Sequence, residues 1–251
     1  MAEKQMASDR IRRPAPLKIK SVALGVRFQP QFGVADVLGE LVDRILRSEG
    51  TPFDSSRFPL VRVNPAERVL VNEETEESLH LGVRDAILEV NVGTADFADI
   101  EGVAQQYDVF VVENLRDLAP PAAIDRYGIL LKFAECSREL EEAPTVHYLA
   151  SESPEARTLQ LRFTRRLACI EARVRKNVDD FRNVIHAVEQ RDNGEVDISV
   201  DYQEYFKPPL DLADWRAKPF TQFACRGLEY FESGFAEWLK SLQRKPALVR
   251  E

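Results

Sequence analysis

Eight basic residues stand between Arg157 and Arg182 against three acidic ones, a local net charge of +5 in a chain whose formal charge is −8. Arg162 follows Leu161 and precedes Phe163 in an alternating run. Arg173 and Arg175 alternate with Ala172 and Val174. On paired strands these three guanidinium groups would project from the face opposite the core and form a patch for phosphate or carboxylate groups. The competing reading is cross-strand ion pairing with neighbours such as Glu171.

Other chemistries find less support. The closest glycines, Gly33 and Gly39, are six residues apart, so no G-x-G dinucleotide fingerprint and no Walker-type phosphate loop occur. No G-x-S-x-G nucleophile elbow is present. His80, His147 and His186 are widely separated, and none stands at helical spacing from another histidine or a cysteine, so no metal site is expected. Asp192-Asn193-Gly194-Glu195 reads as a turn and not as a calcium loop, because Gly194 stands where a third ligand belongs. Cys169 has cationic neighbours that would favour a thiolate, but a packed thiol is the simpler reading, as for Cys225. His80 falls on the polar face of its strand and is expected to be solvated. His186, between Val184 and Val188, is expected to be buried and hydrogen-bonded. The acidic run Glu73 to Glu77 reads as a solvated hairpin tip.

The elements that must position these residues follow from hydrophobic period. Ser21–Phe28, Arg68–Val71, Leu79–Val83, Ala86–Val92 and Tyr127–Phe133 read as strands. Val34, Val37, Leu38, Leu41, Val42, Ile45 and Leu46 mark an amphipathic helix that Gly50 ends. Thr51 to Asn64 reads as loop. Asp96 is the expected N-cap of a second helix, which runs to Pro120-Pro121. Thr158–Phe163 and Ala168–Val174 read as further strands. Asn183–Glu189 is expected to pair with Val196–Tyr202 across the Asn193-Gly194 turn. Phe220, Phe223, Leu228, Phe231, Phe235, Trp238, Leu239 and Leu242 mark a long final helix.

The expected architecture is α+β: antiparallel sheet covered by long amphipathic helices, in two halves of similar plan. Residues 1–20 read as a mobile arm, 21–136 as the first half, 137–156 as a charge-rich connection and 157–251 as the second half. Three scattered cysteines suit a reducing compartment and not a disulfide framework, so a cytoplasmic location is expected. No apolar run reaches the length of a membrane span. Residues 64–156 hold 20 acidic and six basic side chains, which makes general nucleic-acid binding a poor default.

Four segments together resemble a sporadically distributed family of bacterial proteins of similar size. They are Pro16-Leu17 with the strand ending Gly25-Val26-Arg27-Phe28, then Leu79–Val83 through Ala86–Val92 into a helix, then Tyr127–Phe133, then Val196–Asp201 with Phe231-Glu232-Ser233-Gly234-Phe235. The resemblance implies an α+β fold and carries no established activity onto any residue. The leading expectation is a non-catalytic binding or interaction protein, one component of a bacterial multi-protein system, with a protein partner or self-association and no cofactor. The alternatives are nucleic-acid or anionic-ligand binding through Arg162, Arg173 and Arg175, and an enzyme whose site is assembled from residues distant in sequence.

Overall fold

Ile19, Val22, Leu24, Val26 and Phe28 are buried, while Ser21, Ala23 and Gly25 are half-buried and Arg27 is exposed. That is the period of a strand with one covered face. The same alternation recurs through most of the chain, so the sequence folds as one broad antiparallel sheet. The computed structural model describes residues 18–30, 32–95, 97–118, 123–134, 159–168, 179–190 and 196–235.

The strands are β1 Lys18–Phe28, β2 Leu60–Asn64, β3 Glu67–Asn72, β4 Glu77–Gly82, β5 Asp85–Ala95, β6 Ile124–Ala134, β7 Leu159–Ala168, β8 Phe181–Gln190 and β9 Val196–Leu210. They form a nine-stranded sheet in the order β2-β3-β4-β5-β1-β6-β9-β8-β7. Every pairing is antiparallel. β1 and β6 lie side by side at its centre. Outward from them, β5-β4-β3 and β9-β8-β7 follow the same wiring, last strand innermost.

Helix α1, Gly33–Arg47, buries Val34, Leu38, Leu41, Val42 and Ile45. α2, Phe97–Tyr107, continues through a π-turn at Asp108–Val112 into α3, Glu113–Leu118. The short α4, Leu212–Ala217, is N-capped by the Asp211 carboxylate accepting from Asp214 N at 2.9 Å. α5, Phe220–Tyr230, leads into a second π-turn, Phe231–Phe235. The described helices are short, 15 residues at most, and although α1 spans its predicted stripe the second and last helices are interrupted by π-turns. Trp238, Leu239 and Leu242 lie outside the described residues, as do the Asn193-Gly194 turn and the 137–156 connection.

The helices and the apolar strand faces close over an aromatic cluster. Tyr127 packs against Phe206, Phe220 and Phe223 with ring centroids 5.2, 5.4 and 5.5 Å away. The buried hydroxyls are satisfied locally: Tyr107 donates to Ala86 O at 2.7 Å and Tyr127 to Lys218 O at 3.1 Å. The π-turn places buried Asp108 beneath the first turn of α5. Its Oδ2 accepts from Thr221 N at 2.8 Å and Thr221 Oγ1 at 2.7 Å. α5 then seats closely on the sheet. A Cβ at Gly227 would stand 2.9 Å from Ile129 Cγ2, so only glycine permits the approach.

Three expectations are corrected. Residues 60–64 are strand and not loop; all five are exposed, so burial imposed no alternation that a sequence reader could detect. Glu77 does not belong to a solvated tip. It is buried, and Arg57 Nε and Nη2 hold its carboxylate at 3.0 and 3.2 Å. His80 is not a freely solvated side chain, because Glu67 and Asp85 hold its two ring nitrogens.

Candidate functional site

All described helices lie on one side of the sheet, against the face carrying Leu24, Ile129 and Tyr202. Among the described residues nothing helical packs on the other face, where Gln203 and Ile185 are nonetheless buried. Cross-strand register lays its side chains out in rows. One row runs Asp85, Arg27, Arg126, Tyr205, Phe181. The next runs His80, Ile87, Gly25, Gly128, Gln203, Asn183. A third runs Ser78, Glu89, Ala23, Leu130, Asp201, Ile185, and a fourth Asn91, Ser21, Lys132, Ser199, Ala187.

The first row is a continuous polar and aromatic ladder. His80, from the second row, joins its end at Asp85, with Nε2 2.9 Å from Glu67 Oε2 and Nδ1 3.3 Å from Asp85 Oδ1. Asp85 Oδ2 stands 3.5 Å from Arg27 Nη2. Arg126 Nη1 donates to the Tyr205 hydroxyl at 3.1 Å, and its guanidinium lies over that ring at 5.5 Å. Tyr205 stacks on Phe181 at 4.7 Å, and Lys207 Nζ caps Phe181 at 5.5 Å. From the second row, Gln203 accepts from Tyr205 OH at 2.8 Å and donates to the Asp201 carboxylate.

Two depressions lie between the rows. One, of about 200 Å³, is lined by Ala23, Gly25, Gly128 and Leu130, with Arg27, Asp85, Arg126, Asp201 and Gln203 around it. The other, of about 310 Å³, is lined by Lys20, Glu76, Glu89, Lys132, Asp197 and Ser199 among others. Together four cationic and five acidic side chains line them. Lys132 and Glu89 neutralise each other at 2.7 Å. The lining of these two depressions is close to charge-balanced.

The floor of the smaller depression is set by a glycine pair. Gly25 and Gly128 are direct cross-strand partners. Unlike Gly227, neither is demanded by packing against the described residues. A Cβ at Gly25 would meet Ile87 Cγ1 at an ordinary 3.5 Å, and one at Gly128 would find nothing nearer than Gly25 O at 4.0 Å. Each glycine costs the strand roughly 0.5–1 kcal/mol relative to alanine. Glycine in a strand interior commonly marks a place where a ligand or another backbone approaches closely.

Electrostatics at the ladder's end are tuned. The Asp85 hydrogen bond raises the His80 pKa above its ordinary value of 6.5, partly opposed by burial and reinforced by Glu67. The same bond holds the Asp85 carboxyl below its usual range. His80 therefore contributes stability that is fully present below about pH 6.5 and is lost as pH rises through its raised folded value. Asp85 contributes above its unfolded value near 3.8, and that part is lost only in acid. Urea titrations at pH 6 and pH 8.5 are expected to show a larger loss for the wild type than for His80→Gln. Equal losses would mean that the pair adds nothing.

Of the residues singled out from sequence, position 162 pairs with Ala187 on β8, in line with the fourth row. Arg173 and Arg175 lie outside the described residues, as do Cys136, Cys169 and His147. Cys225 is partly exposed on α5, and burial pushes its thiol pKa up, away from reactivity. His186 is buried with Nε2 3.1 Å from the Tyr230 hydroxyl. Among the described residues no group of histidine, cysteine and carboxylate side chains is placed to hold a metal ion. No described helix is long and apolar enough to cross a membrane. Arg27, Arg126 and the glycine pair were not candidates from sequence. Their one local signal was Gly25 and Gly128 interrupting otherwise apolar strand runs.

A second cluster, on the helix side, joins Arg182, Tyr202, Glu204 and Arg226. Arg226 Nε and Nη2 hold the Glu204 carboxylate at 3.0 and 2.8 Å, and Tyr202 OH donates to it at 3.2 Å. Arg182 Nη1 donates to Tyr202 OH at 3.4 Å. Burial raises the Tyr202 pKa above its ordinary value, and Glu204 adds to the rise. With the acid paired and the phenol kept neutral, the cluster ties α5 to β9.

No protein-family model matches the chain, and no curated protein matches it. Among solved structures, the TBP of Methanococcus jannaschii is similar over 73% of this chain and 86% of that chain, at 12% identity and a TM-score of 0.27.

Proposed function

We propose that the protein is a non-catalytic binding protein, one component of a multi-protein system in a reducing cytosol, and that its recognition surface is the sheet face opposite the helices. The observation that carries this reading is the unforced Gly25–Gly128 pair at the centre of that face. Two glycines that packing against the described residues does not require lower the stability of the central strands and leave a strip of backbone without side-chain cover of its own. The repeated wiring of the two halves supports the reading, because it makes this strip the middle of a broad and nearly symmetric platform. Balanced charge favours a polypeptide partner over a nucleic acid.

Gly128→Val tests it, since a β-branched side chain suits the strand and has space. The variant is expected to fold with stability unchanged or raised by up to about 1 kcal/mol in urea titration. A partner captured from native extract by the wild type should be lost. Retention of that partner by the folded variant, or turnover on a panel of nucleotides, esters and peptides, would refute the proposal.

A further inference from the structure

Arg27 and Arg126 are two like charges that stand directly opposite each other on the open face, as cross-strand partners on β1 and β6. Such a pair is destabilising by itself. Its guanidinium groups lean apart, Arg27 toward Asp85 and Arg126 toward Tyr205. Arg27 is half exposed and its ion pair with Asp85 is as long as 3.5 Å. Arg126 meets the neutral Tyr205 hydroxyl and ring and, among the described residues, no carboxylate. One row along, beside the two arginines, the Gly25–Gly128 floor opens the depression of about 200 Å³.

We propose that Arg27 and Arg126 form a clamp for the side-chain carboxylate of an extended peptide segment that a partner protein lays across the glycine floor. The inference rests on the binding-face reading above and names the chemistry recognised there. Guanidinium forks match a carboxylate in shape and charge, and one anion between them removes the like-charge cost. Asp85, Asp201 and Gln203 complete the rim. A polyanion would meet repulsion from the two acids. Glu76, Glu89 and Asp197 in the neighbouring depression extend that repulsion. An oligonucleotide is thereby disfavoured while an isolated glutamate in a neutral peptide is accepted.

The test is an NMR titration of the full chain with the capped peptide Gly-Ser-Glu-Ser-Gly, its Gln counterpart, and oligothymidylate. The Glu peptide should shift the Gly25 and Gly128 amides, with affinity at least ~10-fold above that of the Gln peptide. Arg126→Gln and Arg27→Gln should each abolish that preference while leaving the remaining spectrum unchanged. Equal affinity for the two peptides, no shift with either, or binding of oligothymidylate at lower concentration than the Glu peptide would overturn the clamp. The broader reading fails separately: it stands if Gly128→Val still loses its captured partner, and falls if that partner is retained.

Discussion

Arg226→Met is expected to destabilise the protein by ~3–5 kcal/mol, among the largest single-residue effects available in this fold. Glu204 is 1% exposed, and Arg226 supplies both strong donors to its carboxylate. Removing the guanidinium leaves a buried acid with Tyr202 OH as its one remaining described donor. A buried anion without its counter-charge is costly because the interior screens and solvates it poorly. The loss belongs to the stranded carboxylate more than to the pair itself. The double variant Arg226→Met/Glu204→Met should therefore recover most of the stability. Urea titration of the three proteins, with midpoints compared at constant slope, measures this. A single-variant loss below about 1 kcal/mol, or a double variant no better than the single, would show that the pair is solvated and marginal.

Phe220→Ala should cost about 3–5 kcal/mol, the usual range for deleting a fully buried phenylalanine. Phe220 is fully buried at the first residue of α5. Its ring meets Tyr107 at 4.9 Å, Phe223 at 5.2 Å and Tyr127 at 5.4 Å. These rings come from α2, α5 and β6, so they cannot collapse together into the vacated volume. Edge-to-face contacts with the two tyrosines add roughly 0.5–1.5 kcal/mol each beyond area burial. The melting temperature should fall by roughly 10 °C, and Phe220→Leu should lose less than half as much. A loss under about 1 kcal/mol would place the ring in a loosely packed site. Neither substitution touches the open face, so folded material of either variant should retain binding.

Much of the covered face was legible in the sequence. Val22, Leu24, Val26 and Phe28, or Ile198, Val200 and Tyr202, announce strands because alternate positions must meet the same helices. Valine and leucine at helical spacing in 34–46 announce α1 for the same reason. Where burial imposes no pattern, no signal reaches the sequence. β2 is exposed at every position and reads as loop. Glu77 sits at the end of an acidic run, and only the fold brings Arg57 to it. The π-turn at Asp108 leaves the apolar spacing of its helix nearly intact, so nothing in the period reveals it.

What the sequence alone determined is most of the element inventory: which residues alternate, which spiral, and hence an α+β chain with one apolar face for each element that packs. Periodicity is a local property, and each element's burial is written into its own neighbours. Which strands sit together was decided only in three dimensions. Placing β1 against β6 makes Gly25 face Gly128 and Arg27 face Arg126, although each pair is far apart in the chain. Strand order depends on long-range pairing and on the helices choosing one side of the sheet. Period-two patterning cannot express either, because it says that one face is covered without saying what stands beside it.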